Sequence, residues 1–244
     1  MQEAVSVAVG WLTSRDEARP RLMMGSNAQL IGLAQKNAEF AEALRAADLN
    51  VADGISVVMA ARLTGQPLQE RVTGGDLMER LCGEAAVHGY SVYFLGGLPW
   101  AAELAAEKLQ KRYPGLRIAG TDCPPMGFEQ DPQETERILK KLRWARPALL
   151  CVALGAPKQE LWMHRHREQL PVRAVLSVGA ALDTQAGLRR RAPRWSQRMG
   201  VEWLYRLLAE PKRLWRRYLL GNSYFIYLIG KQLLLRQRKP SPSA

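Results

Sequence analysis

The 244-residue sequence predicts an α/β protein: a mostly parallel sheet with helices on both faces, followed by a basic helical appendage at the C-terminus. Three observations predict it. Short apolar runs alternate with longer amphipathic stretches along residues 1–186, the pattern of strand–helix–strand crossovers. Glycine-containing turns follow those runs, at Gly25, Gly54, Gly96-Gly97, Gly155 and Gly179. Charge is segregated: residues 187–244 hold fourteen Lys/Arg against two acids and so carry the whole net charge of +12, while residues 1–186 balance at 21 of each sign. The expected organisation is therefore an α/β core over 1–186 and a basic amphipathic appendage over 187–244.

Taken in order, residues 3–17 suit a short helix, and 21–24 a strand leading into Gly25-Ser26-Asn27. Residues 28–45 have helical periodicity, with Leu30, Leu33, Ala34, Phe40 and Leu44 on one face. A strand over 48–51 ends at Asp53-Gly54, and a helix over 55–64 is closed by Gly65 and Pro67. A helix over 75–88 precedes the clearest unit: strand 91–95, the turn Gly96-Gly97, helix 99–113, the breaker Pro114-Gly115 and strand 116–120. Such a βαβ unit requires a parallel pair. A second unit follows, with helix 131–144, strand 148–153, the turn Gly155-Ala156-Pro157, helix 158–168 and strand 174–178. Beyond 187, residues 203–208, 211–220 and 224–235 read as helices rich in Trp, Tyr, Leu and Arg. Gly221-Asn222-Ser223 and Gly230-Lys231-Gln232 interrupt the apolar run, which is too short to span a bilayer.

A composition of 47% hydrophobic and 24% charged residues is that of a globular domain large enough to bury a core without disulfides. The three cysteines, Cys82, Cys123 and Cys151, show no CxxC spacing, which points to a reducing compartment and away from a structural zinc site. The N-terminus lacks a basic segment followed by an apolar core, so a cytoplasmic location is expected. The basic end suits an anionic surface, either membrane or nucleic acid.

In an open parallel sheet, ligands bind beyond the carboxyl ends of the strands. Asp53 stands at such an end, where a carboxylate serves either as a general base or as a helix cap. Asn27, with Ser26, either caps a helix or holds ligand hydroxyls. Arg71 precedes Gly74-Gly75-Asp76 at a helix start, an arrangement suited to phosphate or to an ordinary cap. Gly96-Gly97 is half of a dinucleotide loop, with no GxGxxG or Walker sequence. Lys158 and Gln159 open a helix after a buried strand, as polar donors at the ligand edge or as a solvated first turn with Glu160. His164 and His166, at i and i+2, do not share a helix face and read as surface residues, not paired metal ligands. No Asp-x-Asp occurs, so the expectation is metal-independent chemistry with no cofactor.

Together, SNAQLIGLAQKN, ADLNVADGISVVMAARLTG, ERVTGGDLMERL, VYFLGG, YPGLRIAGT, ALGAPKQELWM, VGAALDTQAG, RRAPRW and GVEWLYRLLAEPKR resemble the WecG/TagA/CpsF family, glycosyltransferase family 26, in the family's order. The resemblance implies a Rossmann-like core with an appendage that closes the active site and contacts the membrane. It implies an inverting enzyme that moves a hexose or N-acetylhexosamine, typically N-acetylmannosamine, from a UDP-sugar to an undecaprenyl-diphosphate-linked sugar. The pathway implied is that of cell-surface polysaccharide or teichoic-acid-type polymers, and the place the inner face of the plasma membrane. By motif, Asp53 is the implied base, and Asn27 and Arg71 position the substrates. Gly96, Gly97, Gln159 and Asp183 bind the donor, and Arg206, Arg213 and Arg216 reach its diphosphate. A homo-oligomer is compatible with the resemblance. Gly25 and Ser56 depart from the family's usual Thr and Gly, and TDCPPMGFEQ from its usual aromatic-rich loop.

Two other readings are open. A nucleic-acid-binding module would use the basic end and show salt-sensitive binding, but it explains nothing in residues 21–186, so no nucleic-acid partner is expected. A nucleotide-sugar-modifying enzyme without a lipid acceptor, such as an epimerase or dehydrogenase, is opposed by the missing GxGxxG.

Overall fold

A computed structural model describes residues 1–14, 19–193, 196, 202–209 and 211–237. Six strands form one parallel sheet: β1 (Arg21–Ser26), β2 (Leu49–Ala52), β3 (Ser91–Gly96), β4 (Arg117–Asp122), β5 (Leu149–Ala153) and β6 (Ala174–Ser177). Their order is β2-β1-β6-β5-β3-β4. Register runs Val92 to Leu149 and Gly96 to Ala153 between β3 and β5, and Leu149 to Ala174 between β5 and β6. The fold is Rossmann-like α/β, as the alternating pattern predicts.

The helices that precede the appendage are α1 (Gln2–Thr13), α2 (Ala28–Ala34), α3 (Ala38–Arg45), α4 (Ile55–Leu63), α5 (Gly74–His88), α6 (Ala101–Arg112), α7 (Pro132–Ala145), α8 (Lys158–Arg165) and α9 (Ala181–Gln185). Residues 28–45 form two helices, not the single one their periodicity predicts. Asn37 accepts from the Phe40 N–H at 3.0 Å and so starts a new helix inside the run. The predicted helix over 158–168 ends at Arg165 and continues as a 3₁₀ turn, Arg167–Gln169.

By contact density the chain divides into two compact units. The first comprises 1–25, 42–51 and 72–190, and the second 26–41, 52–71 and 191–244. In the first unit the sheet separates two cores, because successive strand side chains point to opposite faces. Val92, Phe94, Leu149, Cys151 and Leu176 join α1, α5 and α6 on one face. Tyr93, Leu95, Leu150, Val152 and Val175 join Ile138 and Leu142 of α7 and Trp162 of α8 on the other. Arg167 anchors the amino edge: it is 5% exposed, bonds the Pro20 carbonyl at 2.8 Å and pairs with Asp48 at 2.6 Å.

In the second unit, helix Pro211–Gln237 runs without a break across Gly221-Asn222-Ser223, where the sequence predicts two helices. An interior glycine costs a helix only about 1 kcal/mol, and Phe225 offsets it by packing with Ala28 of α2 and Ala60 of α4. Lys36 lies over the Tyr224 ring at 4.4 Å. No described helix is long and apolar enough to cross a membrane.

Candidate active site

The strand order locates a switch point. β3 leads outward to β4, whereas its neighbour β5 leads the other way to β6, so the connections diverge at the carboxyl ends of β3 and β5. Gly96 and Gly97 fill that position with φ of 96° and 91°. A Cβ on Gly96 would lie 2.6 Å from the Ala153 carbonyl oxygen, so only glycine lets the turn approach β5 this closely. The Gly97 N–H donates to that carbonyl at 2.9 Å.

Asp183 closes the turn from α9. It is 5% exposed, and its Oδ1 accepts from the Leu98 N–H at 2.8 Å. Its Oδ2 pairs with Arg189 Nε at 3.3 Å, while its backbone carbonyl accepts from Leu188 and Arg189 at 2.9 and 3.1 Å. The Cys123 thiol, at the end of β4, donates to the Gly97 carbonyl at 3.5 Å. Burial first, then the carboxylates Glu103, Asp122 and Asp183, push this thiol's pKa up and keep it a proton donor.

Gln159 is buried in the first turn of α8. Its Oε1 accepts from the Gly179 N–H at 3.1 Å and its Nε2 donates to Glu160 at 2.7 Å. This one side chain ties the loop after β5 to the loop after β6. Lys158 forms an ion pair with Glu129. Burial is the largest single influence on Glu129 and opposes its charge, but the Lys158 hydrogen bond, a backbone hydrogen bond and the Lys158 charge together outweigh it and hold the carboxyl below its usual range. The solvated first turn that sequence permits at 158–160 is therefore not what forms: Glu160 is fully buried.

In the second unit, Asn27 caps α2 by accepting from Gln29 and Leu30 at 3.1 and 3.2 Å. The Asp53 N–H donates to the Ser26 carbonyl at 2.8 Å, and a Cβ on Gly54 would meet the Asn27 Cβ at 3.6 Å. The structure thus brings the Asn27 and Asp53 turns together. Gly54, not Asp53, occupies the N-cap position of α4. Arg71 is half-buried at the end of a segment of this unit. The cap of α5 is Thr73, which exchanges hydrogen bonds with Asp76 at 2.7 and 3.0 Å. The side chains of Arg206, Arg213 and Arg216 lie outside the described residues.

Three features escape sequence reasoning. His164 and His166 are half-buried, not surface residues. The His166 ring lies 5.3 Å from that of Trp162, and among the described residues neither histidine's Nδ1 has a hydrogen-bond partner. Burial of Trp162 and Arg167 on either side draws this segment inward, and burial lowers the His166 pKa. A cleft of about 390 Å³, bordered by Glu129, Asp131, Thr135, Arg165 and His166, holds none of the sequence-predicted site residues. Glu160, which the sequence places in the same motif as Gln159, is its buried partner. Arg189, which holds Asp183, was also missed, and its only sequence signal is its position six residues from Asp183. Among the described residues, no three His, Cys, Asp or Glu side chains stand together as a metal cage.

A parallel α/β sheet with a glycine turn tied to a buried carboxylate at its switch point defines a Rossmann-like α/β protein. The chain belongs to the glycosyl transferase WecG/TagA/CpsF family, whose sequence profile matches residues 1–239. It is 33% identical over 87% of its length to a Bacillus spizizenii protein, covering 80% of that protein, named N-acetylglucosaminyldiphosphoundecaprenol N-acetyl-beta-D-mannosaminyltransferase. Proteins of the same name from Bacillus subtilis and Staphylococcus aureus are 30% and 32% identical over 88% and 84% of this chain, covering 82% and 78% of theirs. The chain is therefore a transferase of sugars. Neither the nucleic-acid module nor the epimerase or dehydrogenase finds support among these relatives.

Proposed function

We propose that the protein transfers N-acetylmannosamine from a UDP-sugar to undecaprenyl-diphosphate-linked N-acetylglucosamine. The sugar and acceptor are those in the names of its relatives. The observation that carries the donor half is the Gly96-Gly97 turn held by Asp183 at the switch point, where a parallel sheet takes its ligands.

The reaction is a single in-line displacement with inversion. Asp53 takes the proton from the acceptor hydroxyl as that oxygen bonds to the anomeric carbon, and the bond from that carbon to UDP breaks. UDP leaves with the electron pair, and its charge is met by Arg206, Arg213 and Arg216. Asn27 and Arg71 position the substrates, and Gly96, Gly97, Gln159 and Asp183 shape the donor site. Support for Asp53 comes from its place directly after β2, fixed by its N–H bond to Ser26, with the helix cap left to Gly54.

The appendage, 187–244, acts as lid and contact with an anionic membrane, which makes the protein peripheral on the inner face. The exposed Trp215, Ile226, Tyr227, Leu234 and Leu235 of helix Pro211–Gln237 support an interfacial position. A panel of UDP-sugars with a synthetic polyprenyl-diphosphate-N-acetylglucosamine acceptor, scored for released UDP, tests the reading. Release is expected with UDP-N-acetylmannosamine and only when acceptor is present. Release with no sugar of the panel contradicts it.

A further inference from the structure

The loops after β3 and β4 carry a feature the donor site does not use. Trp100 is 73% exposed, Met126 fully exposed and Leu98 39% exposed. β3 and β4 are parallel neighbours, so both loops leave the same edge of the sheet. The loops are also tied to each other and to the core, through the Cys123 thiol on the Gly97 carbonyl and the Leu98 N–H on Asp183. Trp100 has φ of 68°, a left-handed conformation that L-residues with bulky side chains rarely adopt. Such outliers cluster where function requires them.

We propose that Leu98, Trp100 and Met126 form a lipid-inserting tip on the first unit, separate from the appendage. This rests on the lipid-linked acceptor proposed above. Three chemical arguments select a bilayer as the occupant. Tryptophan prefers the membrane–water interface, where its ring sits among headgroups and its N–H stays wet. The three side chains offer on the order of 400 Å², well below the ~800 Å² per partner of a stable protein interface, so a second copy of the chain is not the fit. The tip stands at the carboxyl edge, beside the turn assigned to the donor, where an acceptor headgroup rising from a bilayer would have to arrive. Trp144 and Val87, also exposed, stand singly near helix C-termini at the opposite edge and serve as internal contrasts.

The test uses the full chain with vesicles of phosphatidylcholine and phosphatidylglycerol carrying brominated acyl chains, which quench only inserted indoles. The chain has seven tryptophans, so variants are compared. Fractional quenching is expected to drop in Trp100→Phe and to persist in Trp144→Phe. Undiminished quenching in Trp100→Phe, or none in the unaltered protein, overturns the tip.

Activity separates the tip from the reaction. A Trp100→Asn, Met126→Ser variant is expected to transfer sugar to a water-soluble short-chain acceptor at the unaltered rate. Transfer to acceptor embedded in vesicles should fall about tenfold. Equal loss on both acceptors overturns the tip. If the unaltered protein uses neither acceptor, the proposed reaction fails, while the quenching still decides the tip.

Discussion

The carboxylate of Asp183 holds the Leu98 N–H at 2.8 Å and Arg189 at 3.3 Å, so a residue on α9 fixes the turn that ends β3. Both oxygens are engaged within the protein. Asp183 therefore shapes the Gly96-Gly97 turn, to which the proposed function assigns the donor. Asp183→Ala leaves a part-buried N–H without its acceptor and should cost about 0.5–1.5 kcal/mol in denaturant unfolding. UDP affinity, read by calorimetry, should fall with it. Asp183→Asn keeps an acceptor for Leu98 and should retain most of the stability. Equal losses in both variants would show that the Arg189 pair, not the Leu98 bond, carries the effect.

Gly96 tests the close approach of β3 to β5. Gly96→Ala combines φ of 96° with a Cβ 2.6 Å from a backbone oxygen, and a backbone oxygen cannot rotate away. A loss of about 2–4 kcal/mol is expected from left-handed strain plus overpacking. Gly89→Ala, with φ of 74° and nothing within 4 Å of the new Cβ, should lose only the strain part, about 1–2 kcal/mol. Equal losses for the two would remove the β3–β5 contact from the account.

The contrast between these two positions shows what sequence can convey. Glycine at 96–97 and at 89 marks a turn after a periodic run, and the pattern locates both correctly. It does not say that one glycine opens on solvent and the other on the Ala153 carbonyl, because that contact spans 57 residues of sequence. The strands and most helices were legible for the same local reasons. The split at Asn37 and the unbroken helix through Gly221 were not, since one depends on a side-chain cap inside an apolar run and the other on packing of Phe225. Among the proposed site residues, the motif order is what nominates Asp53, Asn27 and Gln159. That Gln159 spends both ends of its amide on Gly179 and Glu160 is visible only once β5 and β6 are neighbours.

His166 gives the protein an acid-sensitive element. Burial lowers its pKa in the folded state, so the unfolded chain takes up the proton first as pH falls. Its stabilising contribution is complete above the imidazole's ordinary value of about 6.5 and is lost as pH drops below it. His166→Phe keeps a ring against Trp162 and should flatten this part of the stability profile between pH 7.5 and pH 5. Urea midpoints at the two pH values measure it. An unchanged slope would place the acid sensitivity elsewhere.

The role of Asp53 is the claim on which the proposed reaction turns. The most direct measurement is the transfer rate of Asp53→Asn with UDP-N-acetylmannosamine and a polyprenyl-diphosphate-N-acetylglucosamine acceptor, taken together with UDP affinity. Loss of a general base should slow turnover by about 10²–10⁴-fold and leave UDP binding unchanged. Turnover at the unaltered rate would contradict the account.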